Sequence, residues 1–253
     1  MKKLAYLAAI AASIAAAPAY AEGGYLGVSY SVVDAGSLGD DRDVIAVNGA
    51  AMLGEHVQID AAYANIDGGD ADNVAVSAHL FSRNDRFLWG AYVGFDTTSE
   101  AFTGSGVGEW SAGIEGQLYL DRATLTAAAG YTEVDLGGGS EAWTADIEGR
   151  YFVTDNFSIQ GNVGYAEPES GVIIGDGWVG GVGAEYQFSG MPISIYGGWQ
   201  HLDFSGLPDE RDAIGVGVRY SWNATLFERN RAGPGLHRPQ GLFDRIFGAP
   251  ALR

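Results

Sequence analysis

The chain has 253 residues, 14 Lys and Arg against 32 Asp and Glu, a net charge of -18, 39 glycines and no cysteine. A balance this acidic offers no electrostatic footprint for phosphate backbones, so no nucleic-acid partner is expected, and the missing cysteines remove disulfides, thiolate metal sites and a Cys nucleophile. Glycine at about twice its usual ~7%, with few prolines and ordinary apolar content, favours one repetitive all-β domain over a collagen-like or disordered chain.

Residues 1–21 read as a secretory signal. Lys2 and Lys3 form the charged segment, Leu4 to Ala17 the apolar one, and Ala19-Tyr20-Ala21 a small-x-small cleavage site. Cleavage before Glu22 is expected. The apolar run is too short for a spanning helix of ~20 residues, and no later stretch approaches that length. Every lysine lies in this signal, so the mature chain keeps 12 Arg against 32 acids and a net charge of -20.

From Gly24 to Trp222 apolar residues alternate with small or polar ones, the period of 2 that marks strands. Twelve segments follow, over 24–34, 43–53, 56–66, 73–82, 87–97, 109–120, 123–133, 141–153, 157–166, 177–188, 193–203 and 212–222. Their length suits a tilted membrane strand of about 9–11 residues better than a soluble strand of about 5–6. Tight turns, such as Gly54-Glu55 and Asp121-Arg122, alternate with longer acidic loops, such as Asp67 to Asp72 and Thr98 to Gly108. That alternation predicts an up-and-down antiparallel transmembrane β-barrel of about twelve strands, with the short turns and both termini in the periplasm.

Parity separates two faces. Trp110, Ala112, Ile114, Gly116 and Leu118 oppose Glu109, Ser111, Glu115 and Gln117; Trp143, Ala145 and Ile147 oppose Thr144, Asp146, Glu148 and Arg150. A soluble sandwich could show the same parity, but the aromatic positions decide. Tyr63, Phe95, Trp110, Tyr131, Trp143, Tyr165, Trp178 and Trp199 fall at the long-loop ends, and Phe87, Tyr151, Phe157, Tyr186, Phe188 and Trp222 at the short-turn ends. Two aromatic girdles around an aliphatic band are expected at the two membrane interfaces.

With these residues in place, the region 22–222 resembles the bacterial outer-membrane β-barrels of the porin-like family. Gly217-Val218-Arg219-Tyr220-Ser221-Trp222 is similar to the terminal signal of such barrels, although here Gly215 stands where a polar residue is usual and a tail follows. The resemblance implies an outer-membrane location among lipid and lipopolysaccharide, and recognition by the barrel-insertion machinery through Gly217, Tyr220 and Trp222.

The tail, 223–253, carries five Arg against Glu228 and Asp244, so its charge opposes that of the barrel. It reads as a disordered periplasmic extension, the alternative being a plug or dock drawn to the acidic lumen mouth.

The chain offers little catalytic chemistry. Ser77 and His79 share a strand face, yet no third group can be assigned to orient them, so no enzyme activity is expected. Asp67, Asp70 and Asp72 lack the ligand spacing of a calcium loop, and the glycines at 36, 39 and 137–139 open no helix after a strand. Neither cofactor nor metal is expected. Parity instead places Asp60, Glu115, Asp146, Glu148 and Glu185 in the lumen with Arg150 and Arg219. Five acids against two bases predict a passive pore for small hydrophilic solutes with weak cation preference. The competing expectations are a closed structural or adhesive barrel, with the acids pairing the arginines, and an outer-membrane hydrolase.

Overall fold

The computed structural model of the chain describes residues 23–34, 36–38, 41–66, 71–99, 106–135, 140–170, 175–222, 225–237 and 245. The signal segment 1–21 lies outside these. Twelve strands follow in order: β1 (Gly24–Val33), β2 (Arg42–Leu53), β3 (Val57–Ile66), β4 (Ala71–Arg83), β5 (Phe87–Thr98), β6 (Val107–Tyr119), β7 (Ala123–Asp135), β8 (Ser140–Thr154), β9 (Phe157–Ser170), β10 (Gly177–Gln187), β11 (Ile193–Phe204) and β12 (Arg211–Trp222). Each pairs antiparallel with its neighbours, and β1 closes on β12 with Gly24 opposite Trp222 and Val33 opposite Ala213. Closure leaves no strand edge, which is the condition for a sheet to cross a bilayer.

The exterior is apolar along its middle. Ile114 is 69% exposed, and Leu80, Ile147, Val182, Ile214 and Val216 are likewise open to the outside. A continuous band of this kind is untenable in water and natural in lipid. At the long-loop end Trp110, Trp143, Trp178 and Trp199 are all exposed. Phe95 packs on Trp110 with ring centroids 4.6 Å apart, Tyr131 on Trp143 at 5.2 Å, and the Trp143 indole N–H donates to Glu169 at 2.7 Å. Such amphipathic rings hold the barrel at the interface, one side in hydrocarbon and the polar edge on a rim carboxylate.

Trp222 departs from the expected girdle. It is only 8% exposed, because its ring lies where a side chain on Gly24 would be, 2.0 Å from that Cβ position. The ring therefore fastens the β1–β12 seam instead of facing lipid. At the short-turn end the sequence reading missed Trp89, 69% exposed beside the also exposed Phe87.

Inside, bulky rings lie flat across glycines of neighbouring strands. A Cβ on Gly130 would meet the Tyr92 hydroxyl at 2.0 Å and the Ala112 carbonyl at 2.9 Å, so only glycine lets β7 pass under that ring. The inner wall is not polar throughout. Towards the long loops Val107, Val134, Ala142, Ala166, Val179, Leu202 and Phe204 form a buried apolar cluster. On the same side of the seam the short 3-10 turn at Gly36–Leu38 is tied to the β11–β12 loop by the Ser37 N–H, which donates to Asp209 at 2.7 Å. Hydrogen bonds from Ser37 hold the Asp209 carboxyl below the usual carboxylate range.

Candidate functional site: the lumen and the segment that fills it

All seven charged residues expected in the lumen face inward, but they do not line an open acidic wall; each is engaged. His79 of β4 stands between two carboxylates, with Nε2 3.0 Å from Asp60 and Nδ1 2.8 Å from Glu115. Gln58 donates to both oxygens of Asp60 at 3.0 Å. Ser77 Oγ lies 3.4 Å from His79 Nε2, farther than Asp60 does. With a carboxylate on each ring nitrogen, only the doubly protonated ring supplies both donors, and that form has no lone pair with which to activate Ser77.

Glu185 of β10 anchors a second cluster. It accepts from Arg219 Nη1 at 2.6 Å, from Ser194 Oγ at 2.5 Å, and from Arg229 through Nη2 at 2.7 Å and Nη1 at 3.1 Å. Arg219 stacks over Tyr25 at 4.6 Å and Tyr196 at 4.3 Å, and Arg229 lies 5.3 Å from the Tyr25 ring. Glu148 forms a third cluster with Arg150 at 3.3 Å and His237 at 3.2 Å. Asp146 pairs with Arg245.

Arg229, His237 and Arg245 belong to the tail. The expectation of a disordered extension fails for its described part, and the structure follows the alternative that the sequence left open. Helix α1 (Leu226–Arg231) begins with a capping box in which the Thr225 hydroxyl accepts from the Glu228 N–H at 3.2 Å and Glu228 accepts from the Thr225 N–H at 2.9 Å. Six residues do not make a stable helix alone; the lumen wall holds it. Phe227 meets Phe152 edge-on at 5.1 Å, Arg231 lies 4.8 Å over Tyr119, and Thr124 bonds Asn230 at 2.5 Å.

Beyond α1 the chain crosses to the far wall. Arg83 donates to the Gly233 carbonyl at 3.0 Å, Gln117 to that of Gly235 at 2.9 Å and Gln58 to that of Leu236 at 2.9 Å. The Leu236 side chain is buried with Met52, Phe81, Leu88 and Tyr119. These contacts come from β1 to β8, β10 and β12, all near their short-turn ends. Residues 225–237 therefore bridge that mouth from the inside.

The charge balance changes accordingly. The buried carboxylates are Asp60, Asp96, Glu109, Glu115, Glu148 and Glu185; the barrel sets Arg150, Arg211, Arg219 and the doubly protonated His79 against these six, leaving two negative charges, which the tail's buried Arg229 and Arg245 offset. Parity puts Glu109 on the polar face of its strand, but the list of lumen charges omits it together with Asp96 and Arg211, and the tail arginines bear no periodic signal. Their legible trace was the opposite charge of the tail, together with Thr225 followed three residues on by Glu228.

No family model matches the chain, and no curated protein matches it. Among solved structures it is similar to the NanC porin, with a TM-score of 0.63 and 12% identity over 77% of this chain and 98% of that one. It is also similar to the KdgM porin in complex with disordered oligogalacturonate, with a TM-score of 0.57 and 11% identity over 79% and 99%. Identity this low makes the likeness one of fold, and in fold the chain is a porin-like, closed twelve-strand antiparallel barrel.

Proposed function

We propose that the chain is an outer-membrane channel for small hydrophilic solutes, held closed at its periplasmic, short-turn end by its own C-terminal segment. In this reading residues 1–21 direct export, 22–222 span the membrane among lipid and lipopolysaccharide, and Gly217, Tyr220 and Trp222 present the insertion signal. One observation carries it: a lipid-facing closed barrel whose mouth is bridged by a segment, 225–237, that follows the last strand and is itself no strand of the wall. A wall strand cannot leave the sheet without breaking the barrel, whereas this segment can. The similar NanC and KdgM porins support the channel class. The weak cation preference expected from the sequence is not carried over, because the tail's arginines cancel most of the acidity on which it rested.

A second reading, a closed structural or adhesive surface barrel, is favoured by the pairing of the buried charges. Planar-bilayer recording of the mature chain separates the two. Stepwise currents that grow when ties between tail and wall are cut support the channel. Silence from well-folded protein, with the ties intact and with them cut, supports the closed barrel.

A further inference from the structure

Glu185 receives a guanidinium that the barrel wall does not supply. Arg219 already neutralises it at 2.6 Å, yet Arg229 adds a two-pronged contact at 2.7 and 3.1 Å, donates to Ser221 Oγ at 2.7 Å and sets its guanidinium 5.3 Å from the Tyr25 ring. A carboxylate taken in fork geometry, a neutral acceptor beside it and an aromatic face are the parts of a guanidinium receptor; an ammonium ion cannot use the fork.

The occupant is removable in principle. It sits on a six-residue helix that depends on the wall for its order. Two guanidinium groups share one buried carboxylate, so among the described residues one positive charge lacks a direct counter-charge, and Arg229 is held against repulsion from Arg219. The pattern recurs where the tail's Arg245 takes Asp146. When both tail arginines leave, the six buried carboxylates again outnumber the barrel's own buried cations, Arg150, Arg211, Arg219 and His79, and a cation is the favoured replacement.

We propose that Glu185, Tyr25 and Ser221 form a guanidinium-binding site of the lumen, filled at rest by the chain's own Arg229, for which small guanidinium-bearing solutes compete. The proposal deepens the channel reading and rests on it for what such a solute does after binding; binding itself does not depend on conduction.

The test uses the full mature chain with Arg229→Ala, folded in detergent and titrated with ethylguanidinium chloride or, at equal ionic strength, ethylammonium chloride. The expected result is a saturable rise in Tm with ethylguanidinium that ethylammonium does not match and the parent chain does not show. Equal responses of parent and variant would overturn the site. Should the variant fail to fold, Asn230→Cys in the otherwise unchanged chain provides the sole thiol. Its labelling by a maleimide should then speed up several-fold in ethylguanidinium over ethylammonium, and equal rates in the two salts refute competition with Arg229. Binding in a barrel that never conducts would leave this site standing and remove the channel.

Discussion

Replacing Arg229 with Gln tests whether the tail governs opening. The change removes donation to Glu185 at 2.7 and 3.1 Å and to Ser221 at 2.7 Å, while Glu185 keeps Arg219 at 2.6 Å and Ser194 at 2.5 Å. The carboxylate is therefore not orphaned, and the barrel wall should stay intact. Hydrogen bonds to charged groups contribute about 1.5–3 kcal/mol each, and relief of the repulsion between the two arginines offsets part of that. A net loss of about 2 kcal/mol in plug affinity lowers the closed-to-open ratio about 30-fold, at 1.4 kcal/mol per factor of ten. Glu185→Gln has a different signature: it strips both arginines of their carboxylate, and the uncompensated charge should cost the barrel itself about 3–5 kcal/mol. Single-channel open probability, read beside thermal melting, separates the two variants. A well-folded Arg229→Gln protein with the open probability of its parent would refute control by the tail.

Ile114→Arg, at the middle of the lipid face, should destabilise the barrel by about 2–4 kcal/mol when unfolding is measured in lipid vesicles. Gln117→Arg should spare the fold but weaken the bond to the Gly235 carbonyl and raise the current. Gly130→Ala should cost about 1–3 kcal/mol by overpacking against Tyr92; Tyr92→Phe, which removes the atom 2.0 Å away, should recover part of it in a double-mutant cycle. In a salt gradient the open parent channel should show a reversal potential near zero. Joint replacement of Arg229 and Arg245 by Gln should shift it towards cations, less so at 1 M salt, where the Debye length is about 3 Å, than at 0.1 M, where it is about 10 Å.

The period-2 alternation made the barrel legible, because a lipid face and an inner face tolerate no slip between them. Twelve strands stand where twelve segments were read. The boundary of β9 was missed: Glu167, Pro168 and Glu169 look like a loop, yet the strand runs to Ser170. Beyond Ala166 it pairs only with β8, so the N–H that Pro168 lacks is not demanded by β10.

The seven charges that parity assigns to the lumen lie on the inner side of the wall, each against a partner. Parity could not show what they touch, because the partners sit some tens of residues away in sequence or on the non-periodic tail. Arg229 finds Glu185 44 positions back, and Gln58 meets Leu236 across 178. Trp222 misled for a local reason: its outward parity is right, but Gly24 opposite leaves a seat into which the ring folds.

A reversible tether tests most directly whether a tail-closed channel is what this barrel is. The chain contains no cysteine, so Thr124→Cys with Asn230→Cys, whose native side-chain oxygens lie 2.5 Å apart, adds one possible disulfide and no other. In a planar bilayer the oxidised protein should stay closed, and reductant added to the same membrane should release stepwise currents that cease on reoxidation. Currents of equal size and frequency in both redox states would contradict closure by the tail, and silence in both would contradict the channel.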